Sequence, residues 1–278
     1  MTDRNVLLAR IADALERLAP PLVPPTDWLL HPAYVWDGHV ARGVPTLVAQ
    51  ALDLMRGIDA QKAAVVGNVG RLAARAAAHD MLLWGARGMG KSALLRASVA
   101  AAQDDQPGSI ALVQAVPDVG LAALFTALGR EQRSFLVFID DLGFEAGDAS
   151  GARRLRSWLE GGVEARPDNV RLAVTSNRRA IVERHASEQD PFNRDGPINP
   201  RDAVDDKLAL ADRFGLSIGF HNCSQDDYLA IITGYAEHHG LAWTEAEALE
   251  WSKRRGARSG RVAWQFVNEL AGRAGTLI

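Results

Sequence analysis

Eight consecutive residues, Gly85-Ala86-Arg87-Gly88-Met89-Gly90-Lys91-Ser92, carry the clearest chemistry in the chain. Glycines at this spacing let backbone N–H groups converge on phosphate oxygens with no side chain in the way. A lysine and a hydroxyl close the run. Lys91 can neutralise β- and γ-phosphate charge, and Ser92 can ligate Mg²⁺. A helix starting near Lys91 would add its positive end to the same cradle. A second run, Phe135-Leu136-Val137-Phe138-Ile139-Asp140-Asp141, places two carboxylates directly after an apolar stretch. Asp140 suits a Mg²⁺ ion held through water, and Asp141 suits polarisation of an attacking water. Glu145, a little further on, is a rival for the second role. A third run, Thr175-Ser176-Asn177, also closes an apolar stretch, and Asn177 is the candidate for orienting water beside a γ-phosphate.

For these groups to meet, each run must end a strand of one sheet. Apolar runs at 81–84, 109–116, 134–139, 170–175 and 216–220 read as strands, with helical stretches at 91–102, 121–128 and 151–159 between them. This alternation predicts an α/β fold, a P-loop core with a parallel five-stranded sheet and helices on both faces. After Cys223 the strands stop. Ser224 with Asp227, and Thr244 with Glu247, have the spacing of helix N-caps, and Gly256 and Ser259-Gly260 separate a last helix. The tail therefore reads as a small all-helical lid subdomain. At the other end, Leu7, Ile11, Leu15 and Leu18 repeat at helical spacing, and Pro20, Pro21, Pro24 and Pro25 then form a stiff linker. Trp28, Tyr34 and Trp36 either cover an edge of the main domain or form a docking surface. The expected division is 1–45 for the N-terminal helix and linker, 46–222 for the α/β core and 223–278 for the lid. Residues 187–202 read as a long mobile loop.

Composition narrows the class. The 278 residues are 47% hydrophobic and 23% charged with a net charge of -3, which is ordinary globular composition with no general pull toward nucleic acid or anionic membrane. Cys223 is the only cysteine, so an intrachain disulfide and a thiolate zinc site are both excluded. The seven histidines show no metal-ligand spacing. Acidic residues interrupt the N-terminus, so no secretory signal is read there, and no run is long enough to span a membrane. A cytoplasmic location is the expectation.

The three runs described first, Asp212-Arg213-Phe214-Gly215, Arg258-Ser259-Gly260-Arg261 and the helical tail together resemble AAA+ ATPases. A closer resemblance, over residues 50–272, is to the bacterial family known as domain of unknown function 815. It is carried by residues 54–62 (LMRGIDAQK), 82–92 (LLWGARGMGKS), 159–169 (LEGGVEARPDN), 175–179 (TSNRR), 210–215 (LADRFG) and 259–266 (SGRVAWQF). The resemblance implies binding of ATP with Mg²⁺. It makes Asp140 and Ser92 the metal-holding residues, and Asp141 and Asn177 catalytic. Many AAA+ proteins have Glu where this chain has Asp141. The Arg213 of Asp212-Arg213-Phe214-Gly215 takes the place of an arginine finger reaching a neighbour's γ-phosphate. Arg261 or Arg258 folds back onto the nucleotide, with Arg261 preferred because it stands at a helix start. Ile58, within Gly57-Ile58-Asp59-Ala60-Gln61, either covers the adenine or simply begins a helix. Glu160-Gly161-Gly162 has no assigned chemistry.

The implied activity is ATP hydrolysis by a homo-oligomeric ring or open ring that drives or switches remodelling of an unknown protein or nucleic-acid client. The alternative is an ATP-dependent adaptor or loader with little turnover. No Asn-Lys-x-Asp motif for guanine is present, and residues 107–133 hold no aromatic-hydrophobic-Gly pore loop, which disfavours protein threading. Arg153, Arg154, Arg156, Arg178 and Arg179 are either a basic groove for DNA or a solvated face.

Overall fold

The computed structural model describes residues 4–18, 26–116, 120–142, 166–177 and 213–278. Glu145, the helix expected at 151–159 with its arginines, Glu160-Gly161-Gly162, Arg178-Arg179, the polar stretch 187–202 and the proline linker lie outside those residues.

The described strands are β1 (Ala33–Trp36), β2 (Ala41–Val44), β3 (Met81–Gly85), β4 (Ile110–Gln114), β5 (Ser134–Ile139), β6 (Val170–Ser176) and β7 (Leu216–Phe220). They form one sheet in the order β2-β1-β4-β5-β6-β3-β7. Pairings from β1 through β7 are parallel, and only β2 runs antiparallel, at the edge. The five expected strands are all present and contiguous, but the sheet has seven strands, not five. The two additional strands come from the N-terminal segment that sequence patterning assigned to a helix and linker. Their cause is alternation. Ala33 faces one side of the sheet and packs with the helix-covered core there, whereas Tyr34 and Trp36 face the other and pack with Trp28, Phe125 and Phe135. Trp28 sits with its ring centroid 4.8 Å from Tyr34 and 5.9 Å from Phe135. The three aromatics thus cover an edge of the core, as the first of the two sequence readings held. Arg133 fastens this segment by donating to the carbonyls of His31 and Ile110, both at 2.7 Å.

Every residue of β5 is buried, as a central parallel strand covered on both faces requires. Helices α2 (Asp59–Ala73) and α3 (Lys91–Asp105) cover one face, and α4 (Leu121–Leu128) packs with the aromatic cluster on the other. Helix α1 (Arg4–Leu18) shows Leu7, Leu8, Ile11 and Leu15 exposed. The tail forms α5 (Gln225–His239), α6 (Glu245–Arg255) and α7 (Gly260–Arg273). Ser224 and Asp227 form the expected reciprocal capping box, and Thr244 Oγ1 accepts from the Glu247 N–H. Gly240 and Gly256 end α5 and α6 in the left-handed region at φ 65 and 67. Tyr228, Ile232, Phe266 and Val267 join the same buried cluster as Leu83, Leu94 and Phe138, so the lid packs directly on the core. Among the described residues no helix is long and apolar enough to cross a membrane.

Candidate functional site

Strands β5, β6 and β3 are consecutive in the sheet, and the three chemistry-bearing runs follow their carboxyl ends. Sheet order therefore brings together residues far apart in sequence, at the end of a parallel sheet where ligands bind. The turn after β3 is made by glycine. Gly85 has φ 115, and a Cβ there would lie 2.2 Å from the Phe220 carbonyl oxygen, so β7 approaches too closely for any side chain. Ala86 N–H donates to that same oxygen at 2.8 Å. Gly88 and Gly90 also have positive φ, at 78 and 85, and Gly90 caps α3. With Arg87 and Met89 between these glycines, the loop turns its backbone toward the start of α3.

Lys91 is buried, at 6% exposure. Its ammonium donates to the carbonyls of Gly85 at 2.9 Å and Ala86 at 2.8 Å and to Asn177 Oδ1 at 3.1 Å. Burial pushes its pKa down, and the carboxylates of Asp141 and Asp140 work against that shift. Ser92 Oγ donates to Asp140 Oδ1 at 2.6 Å, and Thr175 Oγ1 donates to the same oxygen at 2.7 Å. Thr175 Oγ1 in turn accepts from the Asp141 N–H at 2.8 Å. Asn177 Nδ2 donates to Asp141 Oδ1 at 2.5 Å, and Arg87 stands 3.8 Å from the other Asp141 oxygen. Asp141 itself has φ 50. Asp and Asn enter this left-handed region far more readily than longer side chains, so a short carboxylate suits this position.

A cavity of about 950 Å³ opens beside these groups. The loop after β3, Asp140, Asp141, Thr175 and Asn177 form its polar end, and Met55, Ile58, Ile231 and Tyr235 line its apolar side. Ile58 precedes α2 as its N-cap and also lines the cavity. The lid reaches the loop directly: Arg261 N–H donates to the Gly88 carbonyl at 3.0 Å, and Arg261 lines the cavity. Arg258 instead donates to Gln225 at 3.2 Å. Arg213 lies at the opposite end of the sheet, before the five-residue β7. That strand separates it from the loop after β3 by about 16 Å of extended chain. Among the described residues no cluster of three or more His, Cys, Asp or Glu could hold a metal alone. The hard oxygens available are the Ser92 hydroxyl and the Asp140 carboxylate in mutual contact, which suit Mg²⁺ completed by water and phosphate. Thr175 and Met55 lay within runs read from the sequence but were given no role there, and Tyr235 was not singled out.

The family model described as a protein of unknown function, DUF815, matches residues 30–274. The chain belongs to the DUF815 family. The match begins upstream of residue 50 and takes in β1, which pairs with β4, and β2, which pairs with β1, so both belong to the core sheet. No curated protein matches the sequence. Among solved structures the fold is similar to a point variant of Thermotoga maritima RuvB, at 17% identity, covering 83% of this chain and 68% of that one, with a TM-score of 0.53. It is likewise similar to a Thermotoga maritima RuvB structure titled as a Holliday junction branch migration motor, at 16% identity, 83% and 68% coverage and a TM-score of 0.51. The Aeropyrum pernix ORC1 protein in complex with DNA matches at 15% identity over 83% of this chain and 66% of that one, with a TM-score of 0.53. The architecture is that of an AAA+ core followed by a helical lid.

Proposed function

We propose that the chain binds Mg-ATP in the cavity and hydrolyses it as an AAA+ ATPase. The observation that carries the reading is the buried Lys91 ammonium bonded to Asn177 beside the contacting Ser92 and Asp140. A buried ammonium, glycine-freed backbone N–H groups and the N-terminal end of α3 form a site for polyphosphate. In this reading the backbone of Gly85, Ala86, Arg87, Gly88, Met89 and Gly90 wraps the phosphates, and Lys91 neutralises them. Ser92 and Asp140 hold magnesium, which supplies charge neutralisation at the phosphates. Asp141 takes a proton from the attacking water, whose oxygen bonds to the γ-phosphorus as the bond to the β,γ-bridging oxygen breaks. Asn177 orients that water, Arg261 reaches the phosphates from the lid, and Ile58 covers the base. Arg213, remote from its own cavity, serves a neighbouring copy in a homo-oligomer.

A second reading has a specific observation behind it. Both Asp141 oxygens already face partners within the chain, Asn177 and Arg87. A base so engaged suits an ATP-dependent adaptor or loader that turns over slowly until a client or neighbour rearranges it. The RuvB and ORC1 titles name a junction and DNA for those proteins; for this chain a macromolecular client, protein or nucleic acid, is the proposal. Phosphate release by the purified chain with ATP and magnesium separates the two. Repeated turnover supports the hydrolysing switch. Saturable ATP binding with less than one turnover supports the adaptor. Absence of ATP binding contradicts both.

A further inference from the structure

The apolar side of the cavity is built on a short segment with little regular structure of its own. It consists of the single 3-10 turn Leu52–Leu54, then Met55, Arg56 and Gly57, and only at Asp59 does α2 begin. A segment of this kind, bending through Gly57 at φ 74, needs an external tie to hold one shape. Yet Met55 and Ile58, which face the cavity, are buried to 6% and 5% exposure.

Lys62 supplies the tie. From the start of α2 its ammonium reaches back and donates to the Met55 carbonyl at 3.1 Å and the Leu52 carbonyl at 3.3 Å. Its third contact is Asp59, also at 3.1 Å. The three donors of one ammonium are thus all directed. The Lys62 side chain is 23% exposed, against 82% for Asp59, so the bonds to the carbonyls are shielded while the ion pair is open to water and weak. On its far side the same segment touches the lid. A Cβ at Gly57 would meet Asp227 of α5 at 3.0 Å, and the guanidinium of Arg56 passes 3.4 Å from the corresponding position of Gly234. The segment is therefore packed into the core through Leu54, Met55 and Ile58, tied to α2 by one side-chain cation, and rests against the lid.

We propose that Lys62 is a positioning residue that fixes the Met55–Ile58 face for the nucleotide base, and that it acts on base recognition without touching phosphate. The inference rests on the nucleotide reading of the cavity. It also gives a reason for a lysine four residues after Ile58: from there its ammonium reaches the Leu52 and Met55 carbonyls at the end of the turn.

The test uses the full chain and compares ATP with inorganic tripolyphosphate, both with magnesium, by titration calorimetry. Lys62→Met weakens ATP binding about tenfold, the scale of losing charge-assisted bonds that order a site. Tripolyphosphate binding, which needs no base, changes by less than about twofold. Lys62→Arg restores part of the ATP affinity, and Asp59→Asn keeps that of the wild type. Unchanged ATP affinity in Lys62→Met overturns the proposal. So does a parallel loss of ATP and tripolyphosphate, and so does unfolding of both Lys62 variants, because a residue that only positions the base face is not required for the fold. If the wild-type chain takes up neither ligand, the nucleotide reading itself fails.

Discussion

Asn177 and Asp141 meet through a 2.5 Å hydrogen bond although 36 residues separate them, because β5 and β6 are neighbours and each residue follows its strand's last position. The other end of the Asn177 carboxamide accepts from Lys91, which follows β3, the next strand along. One side chain at the middle strand thus links the Lys91 ammonium to the carboxylate proposed to activate water.

This linkage predicts separable effects on turnover and binding. Asp141→Asn retains ATP affinity and lowers hydrolysis about 10²-fold or more, the scale of losing a general base. Asn177→Ala lowers turnover in the same direction, also with ATP still bound. Steady-state phosphate release beside a fluorescent-nucleotide binding curve measures both. An Asp141→Asn chain that hydrolyses ATP at the wild-type rate removes this residue from the chemistry. Glu145 would then be the next base to test.

The two lid arginines are expected to behave differently. Arg261 lines the cavity and its N–H holds the Gly88 carbonyl, whereas Arg258 is bonded to Gln225. Arg261→Ala lowers kcat/KM for ATP at least about tenfold, as loss of a charge directed at phosphate does. Arg258→Ala stays within about threefold of the wild type. A reversed ranking assigns the lid's contribution to Arg258.

Much of this site was legible in the sequence because its signals are local. Glycine spacing marks the loop after β3, apolar runs ending in polar residues mark β5 and β6, and serine or threonine with an acid three residues on marks the lid helices. The strands β1 and β2 escaped notice for the opposite reason. Each has four residues, set among prolines and glycines, and β1 is a strand because β4, contributed from Ile110 onward, offers it an edge. Lys62 lay within the 54–62 run that carries the family resemblance, but no role could be read for it, since its partners are backbone carbonyls. The choice between Arg261 and Arg258 likewise waited on the contact of α7 with Gly88.

Arg213 precedes β7, at the end of the sheet away from its own cavity. If it serves a neighbouring copy, as proposed, specific ATPase activity rises with protein concentration. Arg213→Ala then binds ATP normally and loses about 10³-fold in turnover. A mixture of Arg213→Ala and Lys91→Ala chains, each inactive alone, recovers part of the activity, because the second still offers Arg213 to the first. A mixture that forms mixed oligomers and stays inactive contradicts action across an interface.

The lone thiol gives a probe of the lid–core junction. Cys223 is buried just before the Ser224 cap, and burial pushes its pKa up to about 11. The protonated thiol is unreactive, so iodoacetamide labels the native chain slowly at pH 8, and faster as pH climbs toward the raised pKa. Denaturant removes the protection at pH 8. Mass spectrometry of timed samples measures both rates. Prompt labelling of the native chain would mean that the lid does not pack on the core as described.

The buried Lys91 marks the proposed polyphosphate site, and one titration tests that most directly. ATP with magnesium is titrated into the wild-type chain and into Lys91→Ala, with circular dichroism confirming that both are folded. The account predicts saturable binding at one site per chain in the wild type. It predicts a loss of affinity of about 100-fold or more in the variant, as removal of a buried charged partner produces. Equal affinity in the two folded chains would contradict it.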